Sequence, residues 1–124
     1  LPASDDSVLA TLEHPVPICA DESVHTRNGL NALADRYDMI NIKLDKTGGL
    51  TEGLALKREA EAAGLGIMIG CMVGTSLSMA PAVLLAQGAA VVDLDGPLLL
   101  SKDRDGGLTF NGSVISPPES SLWG

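Results

Sequence analysis

Met39-Ile40-Asn41-Ile42-Lys43-Leu44, running on into Asp45-Lys46-Thr47-Gly48-Gly49, is the stretch that decides the fold. Side chains alternate across a strand, so Ile40, Ile42 and Leu44 share one face and Asn41 and Lys43 the other. The apolar face suits burial beneath helices. The second face then carries a lysine at the strand's C-terminal end, inside a sheet or barrel. A buried ammonium group is costly unless it is paired or used. The alternative is a solvated lysine on an edge strand, and from this strand alone both readings stand.

Outward from it, strand and helix signals alternate. Before it lie a short helix over Asp5 to Leu12, capped by Ser4 or Asp5, and a strand over Val16 to Asp21 that tolerates Pro17 at its start. A helix capped by Thr26 or Asn28 reaches about Tyr37. After it, Thr51 opens a helix through Ala63 whose Leu56, Ala60 and Ala63 share one face, and Gly64 stops it. Gly66 to Met72 reads as a strand, Ser76 or Ser78 begins an apolar helix closed by Gln87-Gly88, and Ala90 to Asp93 is a fourth strand. A hairpin is expected where Leu98 to Leu100 and Leu108 to Phe110 flank Asp105-Gly106-Gly107, and the tail around Pro117-Pro118 reads as irregular.

Strands spaced about every 25 residues, each followed by a helix, give the cadence of βα units and a parallel sheet. Four such units make half of a (β/α)8 barrel, which usually needs about 250 residues, or else a four-stranded open sheet. Asp21, Lys43 and Asp93 all fall at strand C-terminal ends, where both architectures keep their chemistry.

The 124 residues are apolar, poor in aromatics and rich in glycine, which argues for close packing and against disorder. A net charge of −8 disfavours nucleic acid as a partner and is compatible with binding a cation. Cys19 and Cys71 lie in apolar runs and read as reduced, buried small hydrophobes. Leu65 to Val92 contains no charge and is long enough for a membrane span, but Gly66, Gly70, Gly74, Pro81 and Gly88 interrupt it, so no membrane partner is expected. No signal peptide is visible; because the chain opens on Leu-Pro, that carries no weight.

Few residues can do chemistry, and each has a plainer reading. Asp21 is a ligand for a hard cation or an ordinary loop acid. Asp93-Leu94-Asp95 sets two carboxylates on one face, to bind a ligand ammonium, to bind a metal or to hold Lys43; the plain alternative is a turn at Asp95-Gly96-Pro97. The glycine comes too early for a calcium loop. Lys43 is a general base, a Schiff-base nucleophile or a counter-ion to Asp21 or Asp93, and either catalytic role needs a lowered pKa. Lys46 is expected to be solvated, and His14 and His25 do not form a metal pair. Gly70-Cys71-Met72-Val73-Gly74-Thr75-Ser76 either leaves room for a substrate touching Cys71 or packs a strand against a helix.

Taken in order, Ala20-Asp21-Glu22-Ser23, the Asn41 to Gly49 run, Gly70 to Thr75 and Asp93-Leu94-Asp95-Gly96-Pro97 resemble the enolase superfamily. Within it they resemble the muconate-lactonizing subgroup, and most closely dipeptide epimerases of the L-Ala-D/L-Glu type. The likeness covers residues 1–124 as strands five to eight, the C-terminal half, of that family's (β/α)8 barrel.

The resemblance implies an isomerase of cell-wall peptide metabolism whose substrate is a small dipeptide. Asp21 matches the third of three carboxylates that hold Mg2+, and Lys43 one of two acid/base groups. Asp93 and Asp95 match the pair that receives the substrate's α-ammonium. Proton transfer at the carbon α to a carboxylate would then pass through an enediolate stabilised by the cation.

The family's first two metal carboxylates, its Lys-x-Lys motif and its capping domain have no counterpart here. The 124 residues alone are therefore expected to be inactive, and the complete protein to be a cytoplasmic homo-oligomer. Rival readings are an N-acylamino acid racemase, a muconate cycloisomerase, a class I Schiff-base aldolase and a non-catalytic half-barrel scaffold.

Overall fold

In the computed structural model, which describes residues 1–123, four strands form one parallel sheet in the order in which they occur along the chain. They are β1 (Cys19–Ala20), β2 (Met39–Ile42), β3 (Gly66–Ile69) and β4 (Val91–Val92). β2 pairs with β1 through Cys19–Met39 and Ala20–Ile40, and with β3 from Met39–Gly66 to Ile42–Ile69. β4 joins β3 through Met68–Val91 and Ile69–Val92. Helices α1 (Leu30–Ala34), α2 (Leu44–Thr47), α3 (Leu50–Ala62) and α4 (Ser76–Leu85) lie in the crossovers. This is the expected βα cadence.

The alternation expected of β2 decides which way the sheet faces. Ile40 and Ile42 are buried with Ala20, Ile67 and Ile69 against Leu30, Leu33, Leu56, Ala60, Met79 and Leu85. Burying a large aliphatic side chain contributes about 1.5–3 kcal/mol, so this face holds the layers together. Along α3 the buried positions are Gly53, Leu56 and Ala60; Ala63, expected to share that face, is the exposed C-cap. Gly64 follows it in the left-handed region, at φ 82°.

Several elements are shorter than the sequence implies. β1 begins only at Cys19. Pro15 and Pro17 have no N–H, and the Ile18 N–H donates to Asp38 Oδ2 at 2.7 Å. The N-terminal helix is a 3-10 turn over Ser7–Thr11 with no buried residue. It is anchored by Asp6, whose Oδ2 accepts from Ser23 Oγ at 2.7 Å and Tyr37 OH at 2.6 Å, and whose Oδ1 pairs with Arg36. The next helix starts at Leu30 behind Gly29, not behind Thr26 or Asn28.

Leu44 is not the last residue of β2. It opens the single turn α2, which ends at Gly48 with φ 76°, leaving Lys43 extended as the residue before it. The expected hairpin around Asp105-Gly106-Gly107 does not form. A 3-10 turn with Pro97 as its second residue covers Gly96–Leu99, and the antiparallel pair is β5 (Phe110–Asn111) with β6 (Val114–Ile115). Gly112, at φ 58°, supplies the left-handed conformation that so tight a turn requires. The charge-free stretch folds as β3, α4 and β4, and among the described residues no helix is long and apolar enough to cross a membrane.

Candidate functional site

A parallel sheet places all its strand ends of one kind along a single edge. Here the C-terminal edge carries Asp21 after β1, Lys43 after β2, Cys71 after β3, and Asp93 and Asp95 after β4. The face opposite the helices carries Asn41 and Lys43.

Asp21 is the hub. Its Oδ2 lies 3.0 Å from Lys43 Nζ and its Oδ1 2.6 Å from Lys46 Nζ. Lys46 Nζ also donates to the Asp21 main-chain oxygen at 2.5 Å. The Lys46 side chain is 5% exposed and that of Lys43 12%, against 41% for Asp21. The expectation of a solvated Lys46 is therefore overturned. One turn of helix behind Lys43 swings Lys46 back over the end of β1, and the missed signal is the i, i+3 spacing of two lysines stopped by Gly48-Gly49.

Burial raises the Asp21 carboxyl's pKa, but hydrogen bonds from Lys46 and Lys43 outweigh it and hold the pKa below the ordinary value. Burial pulls Lys43 down, yet its bond to Asp21 and the nearby charges of Asp21 and Glu22 leave it above the ordinary lysine range. In this arrangement Lys43 is a protonated counter-ion of Asp21. A lowered pKa, which a base would need, is not what this pairing produces.

Asp93 and Asp95 are both exposed, with Leu94 buried between them, so the alternation survives beyond the last residue of β4. The Asp93 N–H donates to the Ile69 oxygen at 2.9 Å, extending the β3–β4 ladder by one residue. Among the described residues neither carboxylate pairs with Lys43, so their role as its holder is not realised. Burial pushes the Cys71 thiol up against a hydrogen bond from the Gly96 N–H, and the charges of Asp93, Asp95 and Asp45 add to the rise. Cys19 and Cys71 are free but only half-buried, a correction to the fully buried reading.

Asn41, expected to share a strand face with Lys43, is 3% exposed, and its Oδ1 has no partner among the described residues. A Cβ at Gly70 would lie 2.5 Å from that oxygen, so only glycine leaves room for the amide. His25 is exposed, and His14 Nδ1 lies 3.0 Å from the Val16 oxygen, away from the strand ends.

Among the described residues no group of three His, Cys, Asp or Glu side chains could hold a metal. Asp21 suits a single ligand position. A carboxylate oxygen offers about two acceptor sites, each Asp21 oxygen has one lysine, and the side chain is open to solvent. The remaining ligands of any cation would come from outside these residues.

Residues 1–119 match the family described as Enolase C-terminal domain-like. The chain is 55% identical over 124 residues to an N-acetyl-D-glutamate racemase of Pseudoalteromonas sp, covering 39% of that protein. It is 54% identical over 110 residues to an L-Ala-D/L-Glu epimerase of Escherichia coli (strain K12), covering 89% of this chain and 34% of that protein. It superposes with a TM-score of 0.98, at 65% identity, on a crystal structure from Agrobacterium tumefaciens described as an enolase family member with homology to dipeptide epimerases, with sodium and L-Ala-L-Glu bound. All of this chain and 38% of that one are covered. The chain thus spans well under half the length of these relatives.

Proposed function

The chain belongs to the Enolase C-terminal domain-like family, and from that premise we propose that the complete protein is a dipeptide epimerase acting on L-Ala-D/L-Glu-type substrates. The single observation that carries the reading is the edge that sets Lys43 and Asp21 3.0 Å apart and presents Asp93 and Asp95 exposed to solvent. Residues 1–124 then supply the C-terminal half of a barrel domain, with the other strands and a capping domain contributed by the rest of the protein. The expectation of a cytoplasmic homo-oligomer belongs to the same reading.

Each residue has a distinct task. Asp21 holds one position on a divalent cation, Mg2+ in this reading, which would offset the negative charge developing on the substrate's carboxylate as its α-proton leaves. Lys43 sits beside that position; a cation held by Asp21 would weaken the pairing that keeps this lysine protonated, and Lys43 would then move the proton on one face of the α-carbon. Epimerisation needs a second acid/base group on the opposite face, from outside these residues. Asp93 and Asp95, exposed and negative, receive the substrate's α-ammonium, and Cys71, which follows β3 on the same edge, touches the substrate in this reading.

The test is α-proton exchange in D2O, followed by NMR on the complete protein with Mg2+ and L-Ala-L-Glu. Exchange and epimerisation that require both Mg2+ and Lys43 support the reading, and retention of activity in Lys43→Ala overturns the role of that residue. A second reading, an N-acylamino acid racemase, is favoured by the likeness to a racemase of an N-acetylated amino acid. Exchange confined to N-acetylglutamate would establish it instead.

A further inference from the structure

We propose that Lys46 is a positioning residue which presets Asp21 for a divalent cation, an inference that rests on the function proposed above. Lys46 is the least exposed of the three charged side chains at this corner, although it follows the end of β2 by several residues. Its ammonium grips Asp21 at two points, carboxylate Oδ1 and main-chain oxygen. A donor that spans the backbone and the side-chain terminus of one residue fixes the rotamer between them. The grip leaves Oδ2 to Lys43 alone.

The two lysines also differ in how they hold Asp21. Lys43, at the extended junction of β2 and α2, contacts Asp21 only at Oδ2. Lys46 is held by α2, whose turn is closed by the Gly48 N–H bonded to the Leu44 oxygen at 3.0 Å. Lys43 therefore holds the carboxylate at one oxygen, while Lys46 ties its other oxygen to the main chain and keeps it aimed.

Charge alone predicts the opposite of this role. A fixed ammonium beside a cation ligand repels the cation, so removing it should tighten metal binding. If Lys46 instead sets the ligand's geometry, removing it loosens binding, because groups that orient metal ligands typically contribute about 10- to 100-fold in affinity or activity. The sign separates the two.

The experiment measures Mn2+ affinity in the complete protein by the EPR signal of free Mn2+, with no substrate and no turnover. Lys46→Met should weaken Mn2+ binding by about 10-fold or more, with Lys46→Arg recovering part of the loss. Unchanged or tighter binding in Lys46→Met overturns the proposal. Should Lys46→Met fail to fold, Lys46→Gln is measured in the same way: it keeps one donor amide and loses the charge, so weaker binding supports the proposal and equal or tighter binding overturns it. A parent protein that binds no Mn2+ at all overturns the metal-dependent reading together with this one. A parent that binds it, with variants that bind equally well, overturns this one only.

Discussion

Asp103 accepts from both hydrogen-bonding groups of Ser76, its main-chain N–H at 2.9 Å and its hydroxyl. Ser76 Oγ in turn accepts the Leu108 N–H at 2.8 Å. Thr75, at the N-cap of α4, makes no side-chain cap bond, so a carboxylate from a distant loop caps the helix instead. The helix that begins at Ser76 follows directly on the run containing Cys71. The strap from Asp103 to Leu108 therefore steadies one wall of the candidate site.

Asp103→Ala should lower stability by about 1–3 kcal/mol, because it removes the cap and leaves the wholly buried Ser76 hydroxyl without its acceptor. Asp103→Asn, which keeps one acceptor oxygen, should lose less. Thermal unfolding of the complete protein and both variants checks the order; equal stability of parent and Asp103→Ala would remove the capping role.

The same carboxylate gives stability a sign against pH. Hydrogen bonds from Ser76 hold Asp103 below its ordinary pKa of 3.8. A depressed folded-state pKa contributes stability that is fully present above the unfolded value and fades as pH falls through the folded one. Asp6, lowered chiefly by hydrogen bonds from Tyr37 and Ser23, acts in the same direction. Stability should thus fall as pH drops below about 4, and Asp103→Asn should flatten part of that slope. Denaturant midpoints between pH 5 and pH 2.5 read it.

Gly96→Ala tests how tightly the Asp95-Gly96 turn sits on the run after β3. A Cβ there would lie 2.7 Å from the Met72 main-chain oxygen and 3.3 Å from Cys71 Sγ. Backbone cannot yield as a flexible side chain does, so the substitution should destabilise by about 1–3 kcal/mol. It should also move the Cys71 thiol, read as a changed rate of alkylation in the folded protein. An unaltered melting temperature and thiol rate would mean that the turn stands clear of Cys71.

Asp93→Asn combined with Asp95→Asn separates substrates by charge. Losing charge-assisted bonds to an ammonium is worth about 1.5–3 kcal/mol, so kcat/KM for L-Ala-L-Glu should fall about 10- to 100-fold. The rate with N-acetylglutamate, which has no α-ammonium, should change little. Equal losses on both substrates would assign the pair a structural role.

Much of the fold is legible because it depends on local periodicity. The alternation in Met39 to Ile42 predicts the buried Ile40 and Ile42, and the recurring strand–helix cadence predicts a parallel sheet with Asp21, Lys43 and Asp93 at one edge. Element ends are less legible. Leu44 has the side chain of a strand residue, but Gly48 in the left-handed region closes a helical turn around it. Leu98 and Leu99 look like half a hairpin, yet Pro97 at the start of the 3-10 turn and Gly112 beyond it move the hairpin to Phe110–Ile115.

The sequence by itself determined which side of each strand is apolar and which carries chemistry, since a period of two is a property of the chain alone. Only the tertiary structure decided which charges meet. Lys46 reaches Asp21 across 25 residues, and Asp103 reaches Ser76 across 27, because turns bring distant backbone together. Asn41 is buried because Gly70, just past the end of the neighbouring strand, has no side chain to keep it out. Such pairings depend on distances of a few ångströms between elements, and those are set by packing rather than by the order of residues along the chain.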